Sequence, residues 1–384
     1  MVAPNRPTVQ ALQTSLIRKL ANAAMHHADV IPLWFGESDT VTPAFIREAA
    51  KDAIDEGQTF YQPNLGIPPL REALAEYMNR LYGINLIAEN IGVTPSGMTA
   101  LSLALQCIVA GGDSVLVPSP VWPNLPAAAE ILGAQIIRVP LRPDAGAWRL
   151  DLDELFAAAQ PNTSALLINS PNNPTGWMLE DKEQQRILDF CRERGIWLVA
   201  DEVYARIVYD HAYAPSFADK VNEDDKYLLV NSFSKSWAMT GWRLGWLAGP
   251  RSLMQTLEMV SEYNFSCIFA PTQIAGITAL QAGEGFLGES LLRYRAARDL
   301  VTAAFAALPR VDCPQPSGTF YAFFAVEGVA DSYDFARRLL LECGVGLAPG
   351  AAFGPQGEGY LRLCYAAELP VLERALEQMR PLLI

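Results

Sequence analysis

From about residue 97 to 250 the chain alternates short, unbroken apolar runs with longer segments in which apolar residues recur every three or four positions. The runs SVLVP, AQIIRVP, SALLINS, IWLVADE, YLLVNS and LGWLAG have the length of strands and show no polar face, as expected of strands covered on both sides. Between them LPAAAEILG, DLDELFAAAQ and DKEQQRILDFCRERG read as helices, so the beat is that of a mainly parallel sheet flanked by helices. Upstream, PAFIREAAKDAIDEG, PPLREALAEYMNRLYG and GMTALSLALQCIVAGG carry helical periodicity, and each is expected to close at glycine. Downstream, SLMQTLEMVSEYN and the run from about 285 to 308 are predicted helices. The last third changes character: GTFYAFFAV, SYDFARRLLLECG, GVGLAPG, YLRLCYA and a closing helix from Pro370 predict a smaller α+β domain, with a boundary near residue 285.

Composition narrows the function classes. The chain has 384 residues, 51% hydrophobic and 18% charged, which allows two or three well-buried domains. A net charge of −13, without any basic run, opposes nucleic-acid binding. No apolar stretch reaches the roughly 18 residues of a membrane helix, and the N-terminus lacks a signal peptide's apolar middle, so a cytosolic location is expected. The scattered cysteines (Cys107, Cys191, Cys267, Cys313, Cys343, Cys364) read as small hydrophobes, and His26, His27 and His211 have no metal spacing.

In open α/β sheets, ligands bind beyond the carboxyl ends of the strands. Polar residues there are therefore the ones to question, and Asn173, Asp201, Tyr204, Ser232 and Lys235 all follow predicted strands. Lys235 lies among tryptophans and glycines in NSFSKSWAMTGWRLGW, where poor hydration lowers an amine's pKa; it is either a nucleophile or a long stem with its head in water. Asp201 follows IWLVA, where an unpaired carboxylate is expensive. Its partner is either Lys235, in a structural ion pair, or the protonated ring nitrogen of a heteroaromatic cofactor such as pyridoxal phosphate. That cofactor also needs donors to its phenolate, which Asn173 and Tyr204 offer, and an aromatic face, which Trp122 offers. For its phosphate, Ser96, Gly97 and Met98 precede a predicted helix whose N-terminus favours an anion, while Ser232 and Arg243 add a hydroxyl and a guanidinium fork. Each also has an ordinary reading, as a helix cap, a turn, a core ring or a surface charge; their appearance together at successive strand ends is what those readings leave unexplained.

FGESD, FYQPNLGIPPLREALAEY, PSGMTAL, PSPVWPNL, NSPNNPTG, ADEVY, SFSKSWAMTGWRLGW, SGTFY and YLRLCYA occur in that order over nearly the whole sequence. In this the chain resembles the class I/II aminotransferases of the aspartate aminotransferase superfamily of pyridoxal-phosphate enzymes. The resemblance implies fold type I: a three-layer α/β/α large domain at 30–285, with 1–29 and 286–384 forming an N-terminal arm and a small C-terminal domain. It implies Lys235 as the Schiff-base lysine, Asp201 as partner of the pyridine nitrogen, Tyr204 and Asn173 as donors to the phenolate, and Trp122 as the stacking ring. Ser96, Gly97, Ser232 and Arg243, with Met98 beside them, match the phosphate cup. Tyr61 matches a tyrosine that reaches the neighbouring subunit's cofactor, which implies a homodimer with shared sites. Arg362, with Asn173 and the backbone at Gly36, matches the grip on the substrate α-carboxylate.

The resemblance further implies a ping-pong exchange of an amino group between an L-amino acid and a 2-oxo acid, with Lys235 as base and then acid. Met98 departs from relatives that carry a hydroxyl residue or a lysine there. That leaves the donor neutral or aromatic, with Trp34, Phe35 and Tyr321 in candidate pocket segments, unless a cation from elsewhere restores dicarboxylate binding. Three competitors stand beside this reading. A C–S β-lyase or other lyase of the same fold would use the same lysine, a transcription regulator would carry a DNA-binding segment ahead of FGESD, and a catalytically dead binding protein would not need Lys235, Asp201 and Tyr204 together.

Overall fold

The computed structural model describes residues 6–25 and 29–384; His26 and His27 lie outside the described residues. The strands are β1 (Ile31–Pro32), β2 (Ile91–Thr94), β3 (Ser114–Ser119), β4 (Gln135–Asp144), β5 (Ala147–Leu150), β6 (Thr163–Asn169), β7 (Trp197–Asp201), β8 (Tyr227–Ser232), β9 (Gly245–Ala248), β10 (Val311–Asp312), β11 (Tyr321–Val326), β12 (Val345–Gly346), β13 (Ala348–Pro349) and β14 (Tyr360–Cys364). Eight of them form the main sheet, in the order β2-β9-β8-β7-β6-β3-β4-β5. Pairing is parallel from β4 through β3, β6 and β7 to β8, whereas β9 runs antiparallel to both β8 and β2. β3, β6, β7, β8 and β9 are buried along almost their full length, as strands covered by helices on both faces must be, whereas β4, which carries AQIIRVP, is only partly buried.

All six predicted central strands form, and the helices at Ala44–Asp55, Pro68–Tyr82, Asn124–Leu132 and Asp181–Arg194 match the periodic segments. Gly83, Gly133 and Gly195 take the left-handed conformation that ends three of these helices. The helix Gly97–Ile108 differs from expectation: it stops at an extended Val109, before the glycine pair. A helix at Ala270–Ala282 has no counterpart among the periodic segments. Its buried residues fall on more than one side, so it shows no polar face to betray a helical period.

A second sheet, β10-β11-β14-β13, is antiparallel. The helix Glu284–Ala306 leads into it from the main sheet's part of the chain. The N-terminal strand β1 pairs with β12, so residues 31–32 lie beside the C-terminal segment rather than on the main sheet. That pairing carries FGESD to the mouth formed by the main strands' carboxyl ends.

Candidate active site

A cavity of about 460 Å³ opens at that edge, a size suited to a small cofactor and its substrate. Gly36, Gly97, Met98, Trp122, Asn173, Asp201, Tyr204, Ser232, Lys235, Arg243 and Arg362 all line it. Residues from separate segments of the chain thus converge because parallel strands end together. Two expected residues stand apart. Ser96 is buried just outside and caps the helix, its hydroxyl accepting from the Thr99 peptide N–H at 3.0 Å. Tyr61 is 91% exposed on the loop before Pro68 and does not reach its own chain's cavity.

Asp201 ends β7 and is buried; its Oδ1 accepts from the Val203 peptide N–H at 3.2 Å. Burial pushes its carboxyl up to about 7, opposed by that hydrogen bond and by the charge of Lys235. Lys235 sits on a single helical turn after β8 and donates through Nζ to the Gly36 carbonyl at 2.6 Å. Burial pulls its amine down to about 8, helped by Arg362 and Arg243 and opposed by Cys364 and Glu37. A downward shift of that size multiplies the neutral, nucleophilic fraction at pH 7 by about 300. The amine lies 5.9 Å from the centre of the Tyr204 ring, and the ion pairs among the described residues include none between Lys235 and Asp201.

Arg362, on β14, is 3% exposed. Its Nη1 donates to Asn173 Oδ1 at 2.8 Å and its Nη2 to the Trp34 carbonyl at 2.5 Å, while Nε has no partner among the described residues. The guanidinium lies over the rings of Tyr321 and Phe353 at 4.4 and 4.9 Å, which fixes its plane. Asn173 is held in turn: its peptide N–H donates to Asn169 Oδ1, and its carbonyl accepts from the Trp122 peptide. With Oδ1 taken by Arg362, its NH₂ end remains as donor.

The anion end is built by close backbone approach. A Cβ on Gly245 would lie 2.4 Å from the Gly97 nitrogen and 2.5 Å from the Ser96 carbonyl carbon, so only glycine lets β9 press against the helix N-terminus. Ser232 Oγ donates to Leu244 O at 3.2 Å and lies 3.0 Å from Ser234 Oγ. Arg243, in the left-handed region at φ 54, donates to Thr240 O at 2.6 Å.

Of the candidate pocket residues, Phe35 and Tyr321 line the cavity. Trp34 does not. Its ring packs against Gly346, where a Cβ would meet it at 2.0 Å, and only its carbonyl serves the site. Sequence reasoning missed Asn169, which also lines the cavity and stands opposite Asp201 in the β6–β7 register; the strand-end rule that found Asp201 would have found it. Ser15, Ile17 and Arg18 of the N-terminal segment line the mouth too, and no local pattern marks them.

The donor set fits pyridoxal phosphate. An amine held near neutrality, a buried carboxylate with an open oxygen, a phenol, an amide NH₂ and a glycine-permitted helix N-terminus lie around one cavity.

Comparison with known proteins identifies the family. The family described as aminotransferase class I and II matches residues 28–379. The chain is 36% identical to an aspartate aminotransferase of Pyrococcus horikoshii over 374 residues, 97% of this chain and 95% of that protein. It is 35% identical to aromatic-amino-acid aminotransferase 2 of Thermococcus litoralis, over 98% and 97% of the two chains. The solved structure of Thermus thermophilus aspartate aminotransferase with maleate superposes with a TM-score of 0.92 at 33% identity, covering 100% of both chains. This chain belongs to the class I and II aminotransferases, and it is an aminotransferase with their fold.

Proposed function

We propose that this aminotransferase uses pyridoxal 5′-phosphate, held as the resemblance implies, and takes neutral or aromatic amino acids as donors. The observation that carries the reading is the meeting of three incompletely partnered groups in one cavity: the Lys235 amine, the Asp201 carboxylate and the Arg362 guanidinium. When bound, the cofactor supplies an aldehyde carbon for the amine and a protonated ring that accepts the electron pair left when the α-proton departs.

The chain's residues do the rest. Asp201 keeps the ring nitrogen protonated, Tyr204 and Asn173 donate to the ring oxygen, and Trp122 covers the ring. Gly97, Met98, Ser232 and Arg243 surround the phosphate, with Ser96 shaping the helix end. Arg362 fixes the α-carboxylate, so the α-hydrogen is presented to Lys235, which takes the proton and returns it. Residues 30–285 act as the cofactor-binding domain, with 1–29 and 286–384 forming the arm and small domain. A homodimer fits the outward Tyr61: Phe60, Tyr61 and Tyr263 are all exposed, and Asn64 ties their two segments together by donating to Glu262 at 3.3 Å.

Met98, Leu101, Trp122, Phe35, Ile17 and Tyr321 give the cavity a largely apolar wall, which favours a neutral or aromatic side chain over a carboxylate. One observation favours a second substrate class in the same pocket. Arg18 lines the mouth 5.0 Å from the Phe35 ring and has no ion-pair partner among the described residues, so a dicarboxylic 2-oxo acid can serve as acceptor. The relatives' names do not favour the lyase alternative.

The test is a donor panel run against 2-oxoglutarate, pyruvate and oxaloacetate, with borohydride reduction of the loaded enzyme and peptide mapping. Efficient aromatic or aliphatic donors, 2-oxoglutarate as acceptor and label on Lys235 are expected. Aspartate as the single efficient donor would refute the specificity reading, and label on another lysine would refute the lysine assignment.

A further inference from the structure

We propose that Tyr321 is a positioning residue whose hydroxyl donates to the Tyr204 oxygen and so aims the single Tyr204 proton at the cofactor's ring oxygen. The inference rests on the role given to Tyr204 above. The two hydroxyls lie 2.6 Å apart, and both side chains are buried. A phenol carries one proton and accepts through its lone pairs. If the Tyr204 proton points to the cofactor, Tyr321 must be the donor in the Tyr204–Tyr321 bond. A phenol that accepts a hydrogen bond also becomes a stronger donor, so Tyr321 both directs and strengthens the Tyr204 contact.

Tyr321 is held for this task from several sides. It begins β11, paired with Cys364 on β14, and its ring packs on Phe320 and Tyr204 while the Arg362 guanidinium lies over it at 4.4 Å. Its hydroxyl fits against the backbone of Gly36, where a Cβ would stand 1.9 Å from the oxygen. Gly36 is not in the left-handed region, so its glycine serves this close approach and not a turn. The same Gly36 accepts from Lys235, which ties the tyrosine pair to the lysine's own anchor.

The expected consequence is a titration. A donor to the cofactor's ring oxygen drains its charge and weakens its hold on the proton of the nearby Lys235 nitrogen, so the lysine-bound cofactor loses that proton at lower pH. Tyr204 faces Tyr321, Arg362, Asp201 and Lys235, and Tyr321 faces Arg362, Cys364, Glu37 and Tyr204. Tyr321→Phe leaves all of these groups in place and removes one hydroxyl.

The experiment follows the visible absorbance of the lysine-bound cofactor against pH in the holoenzyme, for wild type, Tyr321→Phe, Tyr204→Phe and the double variant, alongside kcat and KM. Tyr321→Phe should raise the midpoint by about 0.3 to 1 unit. Tyr204→Phe should raise it further, and the double variant should match Tyr204→Phe, because Tyr321 acts through Tyr204. An unmoved midpoint in Tyr321→Phe beside a raised one in Tyr204→Phe overturns the Tyr321 proposal alone, as do shifts that add in the double variant. No movement in either variant overturns the Tyr204 assignment and the Tyr321 role with it.

Discussion

Asp201 carries a cost that can be measured in the cofactor-free chain. Its carboxyl is fully buried and pushed up from 3.8 to about 7, so between those values the folded chain holds a proton that the unfolded chain has released. Stability from this group is therefore present below the unfolded value and is lost as pH rises toward 7. Relative to low pH, the stability lost through this group is about 4 kcal/mol near pH 8 and about 1.5 kcal/mol at pH 5, from the separation of the two values. Asp201→Asn keeps an oxygen for the Val203 N–H and never charges. The variant without cofactor should be more stable than wild type by about those amounts at the two pH values. Glu202 is also raised to about 7, by burial and in smaller part by the charge of Asp201, so the asparagine removes that repulsion too and the gain at pH 8 keeps its sign. Urea unfolding by circular dichroism at pH 8 and pH 5 reads the change as a raised midpoint, with transamination lost in the same variant. Equal midpoints at pH 8, or a gain that ignores pH, would refute the assignment of an unpaired, desolvated carboxylate. With cofactor present the sign should reverse, since a protonated ring nitrogen stabilises Asp201 and does little for asparagine.

Arg362→Lys keeps the charge and loses the fork; kcat/KM should fall by about 30- to 1,000-fold, mostly through KM, as about 2 to 4 kcal/mol of carboxylate binding is lost. Steady-state kinetics with one good donor check this, and an unchanged KM would remove Arg362 from the carboxylate grip. Gly245→Ala drives a Cβ into the Gly97 nitrogen and the Ser96 carbonyl carbon, so affinity for pyridoxal phosphate should fall by at least about tenfold while affinity for unphosphorylated pyridoxal changes little. Fluorescence titration with both compounds decides it, equal losses for the two pointing away from a phosphate site.

How much of this is legible in the sequence depends on what kind of contact builds it. Parallel strands buried on both faces must be apolar throughout, so a polar residue at their end stands out, and Asp201 and Ser232 are visible for that reason. The helix Ala270–Ala282 is not, because a segment buried on several sides loses the polar stripe that marks a period. The antiparallel direction of β9 is also hidden, since LGWLAG has the same apolar pattern whichever way it runs. Trp34 reaches the expected site, but not through its ring: β1 pairs with β12, which turns the ring onto Gly346 and leaves the carbonyl to Arg362. The Gly36–Tyr321 contact joins distant segments and needs the fold before it exists at all. Glycine in FGESD could be read as a turn residue, but its real constraint is a hydroxyl pressed against its backbone.

The three central groups share one design. Among the described residues Arg362 spends one donor from each Nη on protein acceptors, which leaves one N–H on each; Asp201 accepts at Oδ1 alone, and Lys235 gives one donor to Gly36. A guanidinium with every donor satisfied could not grip a carboxylate, and one with none would not hold its plane. Partial satisfaction thus fixes direction while leaving capacity for a ligand, and its cost appears as shifted titration: a carboxyl raised to about 7 and an amine lowered to about 8 in the same cavity. At pH 7 about half of the Asp201 carboxyls and about a tenth of the Lys235 amines are uncharged, so burial is eased mainly by protonation of the carboxyl. A protonated ring nitrogen brought to Asp201, as the proposed cofactor would bring it, would hold that carboxyl ionised, so binding would complete a charge that burial alone disfavours.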